Sequence, residues 1–408
     1  MDKKLTDSDI LKIAKKIRFE YSLCDHCLGR FFRHTKKNIS NKSHGEKLRK
    51  KTDFKKIEIK DCVLCQGLID EIPIFIDLIK KVFNDYEFKT FLIGCIVDED
   101  ILDKEQEIID KFNIDFSESI KNEINREIGK VLERDLDRLV DFEKPDIMGV
   151  MDTSFNVVDL QIASLFIYGK YKKYSREIPQ TKWFCKICRG RGCKRCSYTG
   201  KLYPTSVEEI ISKEFIKATK AEDESFHGSG REDIDVRMLG DGRPFVLELK
   251  NPKKRNIDFD YITKKINKEN KGLIEVDNLK ISDKKEIVRI KNSKFKKIYR
   301  ITFNCNNLIN IEKLKKAVSS LQNSKISQFT PSRVAHRRAN IIRDKHIYKT
   351  KIESIDGAMA IITLEAESGT YIKELVSGDN GKTKPSISEL IGYPCNVVEL
   401  DVIEIKGA

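Results

Sequence analysis

The chain has 408 residues, with 78 Lys or Arg, 64 Asp or Glu and a formal charge of +14. At roughly 150 residues per domain this is two or three domains, and a hydrophobic share of 39% excludes global disorder. No run of 18 apolar residues occurs, so no transmembrane helix is expected, and the charged start MDKKLTDSDILKIAKKIRFEYS has no signal-peptide core. A cytoplasmic protein is expected. There, an odd number of cysteines, 11, points to metal ligands or thiols rather than disulfides.

The charge is unevenly spread. Residues 97–146 carry 17 acidic and 8 basic side chains, whereas residues 1–60 carry 18 basic and 8 acidic ones. A basic surface of that size suits a polyanion, which in the cytosol is RNA or DNA. A lysine-rich codon bias would give similar totals, so the motifs must decide.

In chain order, residues 1–20 show a helical stripe of Leu5, Ile10, Leu11, Ile13, Ala14 and Ile17. Cys24-x2-Cys27 and Cys62-x2-Cys65 then form two knuckles separated by 34 residues. Four thiolates close a tetrahedral shell and leave no position for substrate, so a structural zinc is expected. Residues 69–84 have helical spacing with Pro73 near the start. Residues 86–96 alternate as a strand, 104–140 carry charged helical patterns, and 145–151 and 156–160 read as short strands. Residues 161–168 read as helix or strand. The polar stretch 175–183 ends this α+β part, and the main boundary is expected near 180–200.

A second set, Cys185-x2-Cys188-x4-Cys193-x2-Cys196, contains Gly190 and Gly192, which allow a tight turn. It is a second zinc candidate, with a redox pair as the alternative. Cys95, Cys305 and Cys395 read as small core residues. A helix is expected at about 206–220, then strands at 245–250, 297–304, 358–366 and 396–405.

The segment FHGSGREDIDVRMLGDGRPFVLELKNP packs His227, Arg231, Glu232, Asp233, Asp235, Arg237, Asp241 and Arg243 among four glycines before an apolar strand. On its residues alone it is a loop of compensating ion pairs or a carboxylate site held by arginines. No strand-GxGxxG-helix unit is present, so no nucleotide cofactor is expected.

SFHGSGREDIDVRMLGDGRPFVLELKNPKKR resembles motif I of the archaeal-type tRNA pseudouridine synthase family, which modifies tRNA positions 54 and 55. KKIYRITF (296–303) is similar to motif II and SGTYIKELVSGDNGKTKPSI (368–387) to motif III. CDHCLGR, NREIGKVLERDLDRLVDFEKPDI and IPQTKWFCKICRGRGCKRC resemble its THUMP-bearing N-terminal half. The resemblance implies that Asp233, in GRED, is the catalytic aspartate. It implies that Tyr299 stacks on the target base, that Tyr371 helps to wall the uracil, and that Lys373 is the cation beside Asp233. Arg231 would fill the space of the flipped nucleotide or bind a phosphate. No catalytic cofactor is implied. By alternation, Tyr371 and Lys373 are expected on one strand face.

The stretch 324–349 is basic, with Arg333, Arg337, Arg338 and Arg343 as candidate RNA-backbone contacts. A solvated charged helix is the plain alternative.

The organisation expected is a helical and zinc-knuckle module (1–66), a THUMP-like domain (67–180), a second knuckle (181–200) and a pseudouridine synthase domain with a mixed, mainly antiparallel sheet (201–408). The function implied is uridine isomerisation in the tRNA T arm, with tRNA as partner and no membrane. The rivals are a non-catalytic zinc-containing tRNA-binding protein or chaperone, and another THUMP-type modification enzyme. The latter needs a Gly-rich nucleotide loop that this sequence lacks.

Overall fold

In the computed structural model, residues 6–33, 39–337 and 339–407 are described. They fall into two units, one running to Ala163 and taking in Asn251–Arg255, the other comprising Ser164–Lys250 and Asn256–Ala408.

The first unit starts with helix Asp7–Glu20, where Thr6 and Asp9 cap each other and Ile10, Ala14 and Ile17 turn inward. Its sheet has strands β1 (Thr90–Ile96), β2 (Leu139–Val140), β3 (Ile147–Asp152) and β4 (Val157–Ile162) in the order β2-β1-β3-β4. β1 runs parallel to both neighbours, and β3 and β4 are antiparallel. The helical stretch after β1 is two helices, Glu99–Phe112 and Ile120–Leu136. Asn113 ends the first in the left-handed region and Ser119 caps the second. Ile108, Ile124 and Ile128 pack into one core with Phe83 and Phe91.

The second unit is built on a ten-stranded sheet. Its strands are β5 (Leu165–Lys173), β6 (Asp223–Gly228), β7 (Val236–Lys250), β8 (Ile274–Ser282), β9 (Lys296–Cys305), β10 (Ser324–Phe329), β11 (Ile342–Asp356), β12 (Met359–Ala366), β13 (Thr383–Lys384) and β14 (Cys395–Lys406). The order is β13-β10-β11-β12-β9-β14-β7-β5-β8, with β6 paired to β7. All pairs are antiparallel except β14 with β7. The chain is therefore α+β, with mixed sheets in both units. Helices Val207–Thr219, Phe259–Glu269 and Ile311–Leu321 bury Phe215, Ile266 and Leu314 in the core of this unit.

Three features depart from the sequence reading. First, residues 165–173 were grouped with the domain before them, yet β5 pairs with β7 and β8. A strand read locally does not disclose partners that lie far downstream. Second, Tyr371 and Lys373 are not on a strand: Tyr371 is the N-cap of helix Ile372–Ser377, which contains Lys373. Alternation over three residues cannot separate the two states. Third, Cys305 and Cys395 are not free thiols but a disulfide joining β9 to β14, where they face each other in register.

One close approach shapes the sheet. A Cβ on Gly240 would lie 2.1 Å from the Ile403 carbonyl oxygen, and its φ is +61°. Only glycine lets β7 pass that close to the backbone of β14 at this φ.

Candidate active site

The loop between β6 and β7 carries Asp233, and fixed donors hold its backbone. Lys173 is fully buried at the end of β5. Its Nζ donates to the carbonyls of Ile234 at 2.7 Å, Ile178 at 3.1 Å and Asp233 at 3.3 Å. Burial pulls its pKa down to about 8, with Glu232 and Asp235 acting in the opposite sense. Gly230, at φ +83°, begins the loop. A Cβ there would stand 3.0 Å from both Arg243 Nη1 and Lys297 Nζ, so the glycine lets a guanidinium and an amine lie under the backbone.

Beneath the loop sits a buried polar network. Arg243 Nε lies 2.9 Å from Glu232 Oε2, with both side chains about 1% exposed. The Tyr171 hydroxyl donates to Glu232 at 2.8 Å. Gln180 Nε2 donates to that hydroxyl at 2.7 Å and to the Gly230 carbonyl at 3.0 Å. Glu232 is thus an ion-pair residue that supports the loop next to Asp233. Removing one member of such a pair strands the other in low dielectric.

Asp233 itself remains partly open to solvent. Its Oδ2 accepts from Arg333 Nη1 at 2.7 Å and lies 3.7 Å from Lys373 Nζ. Lys373 is closer to Asp235, at 2.6 Å. The direct counter-ion of Asp233 is therefore Arg333, assigned from sequence to RNA backbone, and Lys373 bridges two carboxylates. Arg333 is held on its other side by Glu374, at 2.6 Å. Asp235 is kept below the usual carboxylate range by Lys373, which outweighs its burial.

Asp233 lines a cavity of about 520 Å³ together with Tyr299, Tyr371, Lys297 and Arg343. A cavity of that size accommodates a nucleoside. Tyr299 is buried on β9, and burial pushes its hydroxyl up to about 12. Lys297 precedes it by two residues on the same strand face, and burial followed by the nearby Arg243 brings its pKa down to about 7. The buried Gln328 grips both backbone groups of Tyr371. Its Oε1 accepts from Tyr371 N at 2.8 Å and its Nε2 donates to Tyr371 O at 2.9 Å.

The structure therefore brings Asp233, Tyr299, Tyr371, Lys373, Arg231, Arg333 and Arg343 to one cavity. Arg231 stacks its guanidinium over Trp183, 5.2 Å from the ring centre. Arg343 donates to Thr330 Oγ1 at 2.8 Å. Arg338 and the side chain of Arg337 lie outside the described residues. Arg243 belongs to the polar cluster recognised in the sequence, whereas Lys173, Gln180, Lys297 and Gln328 were not found there. Of these only Lys297 carried a local signal, as the residue two before the motif II tyrosine.

Two sets of four cysteines have all their sulfurs within 4.8 Å of one another: Cys24, Cys27, Cys62 and Cys65, and Cys185, Cys188, Cys193 and Cys196. Sulfurs about 2.3 Å from a tetrahedral zinc stand about 3.8 Å apart. Cys24 and Cys65 are 3.8 Å apart, Cys188 and Cys196 3.8 Å, Cys193 and Cys196 3.7 Å, and Cys185 and Cys193 4.0 Å. In the first set the buried Arg30 donates to Cys27 Sγ at 3.4 Å. In the second, backbone N–H groups of Gly192, Cys193 and Gly200 point at sulfur at 3.2, 3.2 and 3.3 Å. Cationic and N–H donors are what deprotonated thiols require. Both sets fit a metal ion. Among the described residues no helix is long and apolar enough to cross a membrane.

Residues 166–406 match the family model "Pus10, C-terminal", and residues 75–152 match "Pus10 THUMP domain, archaeal". A tRNA pseudouridine synthase Pus10 of Methanocaldococcus jannaschii is 44% identical, over 86% of this chain and 76% of that protein. The protein of the same name from Methanothermobacter marburgensis is 41% identical, over 94% of this chain and 95% of that one. Among solved structures, one of a Cbf5-Nop10-Gar1 complex aligns with 49% of this chain and 45% of that one, at 16% identity and a TM-score of 0.32, too loosely to carry an inference. With one model spanning the whole large sheet and relatives spanning both units, this chain belongs to the Pus10 family.

Proposed function

We propose that this chain is a tRNA pseudouridine synthase that isomerises uridine at position 54, position 55 or both in the T arm. The observation that carries the reading is Asp233: an ion-paired carboxylate on a loop fixed from below, facing a nucleoside-sized cavity shared with Tyr299. The family membership supports the activity, and the likeness of motifs I to III supports the T arm.

The reaction breaks the N1–C1′ bond, turns the uracil and rejoins it through C5. The C5 proton leaves and N1 gains one, so substrate and product are isomers and no cofactor is consumed. Asp233 acts at the C1′–C2′ edge of the ribose, as nucleophile or as base. Arg333 pairs with it and aims it. Tyr299 and Tyr371 wall the flipped base, whose extraction from the stacked arm costs a few kcal/mol, offset by contacts in the cavity. Glu232 and Asp235 take no chemical part.

Each four-cysteine set holds a structural zinc, which supplies folding energy at its site and no catalytic step. The part around residues 75–152 supplies a THUMP-like tRNA-holding domain, and the enzyme works in the cytoplasm. The test is to incubate purified protein with unmodified tRNA transcript and map pseudouridine at single-nucleotide resolution. Product in the T arm is expected. Tight tRNA binding without any pseudouridine would leave only the binding-protein reading.

A further inference from the structure

The cleft continues beyond Asp233. A second hollow of about 190 Å³ shares Arg231, Asp233, Arg333 and Lys373 with the main cavity, and its far wall is Pro179 and Trp183. Trp183 is also the root of the second cysteine knuckle. Its carbonyl accepts from Leu202 N at 2.9 Å, and the next residue, Phe184, bridges to Lys201. The knuckle is therefore built onto the edge of the cleft.

Its charge is one-sided. Residues 182–202 hold seven basic side chains and no acidic one. Lys182 and Lys201 are used internally, paired with Glu224 and Glu209. Lys186, Arg189, Lys194 and Arg195 are exposed and make no ion pair among the described residues. The same knuckle holds aromatic surface in water: Tyr198 is 70% exposed and Phe184 58%. Ser197 and Tyr198 both sit at positive φ, +51° and +61°, a conformation that costs a bulky residue energy and is kept here by the fold of the cysteine loop. Unpaired cations interleaved with exposed rings complement a phosphate backbone and unstacked bases.

We propose that the second cysteine knuckle is an RNA-binding surface that holds the strand flanking the target uridine, with phosphates on Lys186, Arg189, Lys194 and Arg195 and a base on Tyr198. The hollow between Trp183 and Asp233 takes the nucleotide next to the target. The Arg231–Trp183 stack links this grip to the catalytic loop. The proposal rests on the tRNA reading above and adds a binding element that the motifs do not assign.

The test uses the full-length protein with Arg189, Lys194 and Arg195 all changed to Glu, and separately Tyr198→Ala. Metal content and thermal midpoint are measured first to show that the knuckle is intact. Each phosphate contact contributes nearly one to the slope of log K against log salt. The triple variant is expected to lose about two to three from that slope and to bind tRNA at least tenfold more weakly at moderate salt. The loss of activity should fall on KM rather than kcat. Tyr198→Ala is expected to weaken binding several-fold with the slope unchanged. Unchanged affinity and slope in an intact triple variant would overturn the proposal and leave the knuckle for a protein partner. The two readings fail separately: a wild-type protein that binds tRNA through the knuckle but makes no pseudouridine overturns the activity, and active variants with unaltered binding overturn the surface.

Discussion

Arg333 Nη1 stands 2.7 Å from Asp233 Oδ2, across 100 residues of sequence, while Lys373 stays 3.7 Å away and gives its shorter contact to Asp235. The cation that orients the proposed catalytic carboxylate thus comes from the basic stretch before β11. Arg333→Gln is expected to lower kcat about ten- to a hundredfold, and Lys373→Met by less. Single-turnover rates at saturating tRNA make the comparison. The reverse order would return the role of direct counter-ion to Lys373.

Asp233→Asn keeps the shape of the side chain and removes its charge. Pseudouridine formation should fall by at least about a thousandfold, within the range that a lost acid–base or nucleophilic group produces, while tRNA affinity changes little. Asp235→Asn should keep substantial turnover, because its partner Lys373 is already within reach of Asp233. Product formation by Asp233→Asn alongside a silent Asp235→Asn would move the catalytic role by two residues.

Glu232→Gln should destabilise more than its position beside a catalytic residue suggests, since it leaves Arg243 buried without its charge partner. A loss of about 3 kcal/mol is expected for breaking a buried pair, read as a drop in denaturation midpoint of the large unit. Unaltered stability would mean that Arg243 finds another partner.

Lys297 gives a pH prediction with a definite sign. Its folded pKa, about 7, is below the ordinary 10.5, so between those values the unfolded chain binds the extra proton. The stability contributed by this group therefore rises with pH through that window. Compared with Lys297→Met, the wild type should gain stability from pH 7 to pH 10, measured by urea denaturation at each pH. A difference between the two proteins that does not vary with pH would mean the amine stays charged.

Purification without chelator should yield about two zinc ions per chain, and Cys24→Ser or Cys188→Ser should each remove about one. Losing the first set should melt the module around Cys24–Cys65, because metal binding and folding are one equilibrium there. Elemental analysis paired with circular dichroism checks both; full zinc content in either variant would exclude that cysteine as a ligand.

The cysteine sets and Asp233 were legible because their signal is local: fixed spacings and a motif in one loop. What supports them was not. Lys173 lies some 60 residues before the Asp233 and Ile234 carbonyls it holds, and Gln328 some 43 before Tyr371. Neither residue type nor spacing marks a lysine or glutamine that acts only once the sheet has formed. Lys297 was hidden in a chain where lysine is everywhere, and its burial follows from its place on a central strand. The Cys305–Cys395 pair was equally invisible, since it depends on the register of β9 against β14.

β5 leaves the ribosome before either of its neighbours exists, since β7 begins at Val236 and β8 at Ile274. Ile167 and Tyr171 must wait without a partner while the knuckle and helix Val207–Thr219 are made. The large sheet cannot assemble in order of synthesis, and a fragment cut between the knuckle and the loop of Asp233 would lose the strand that carries Lys173. Gene fusions or split versions of this enzyme should therefore be divided before Ser164, where the first unit is complete but for Asn251–Arg255.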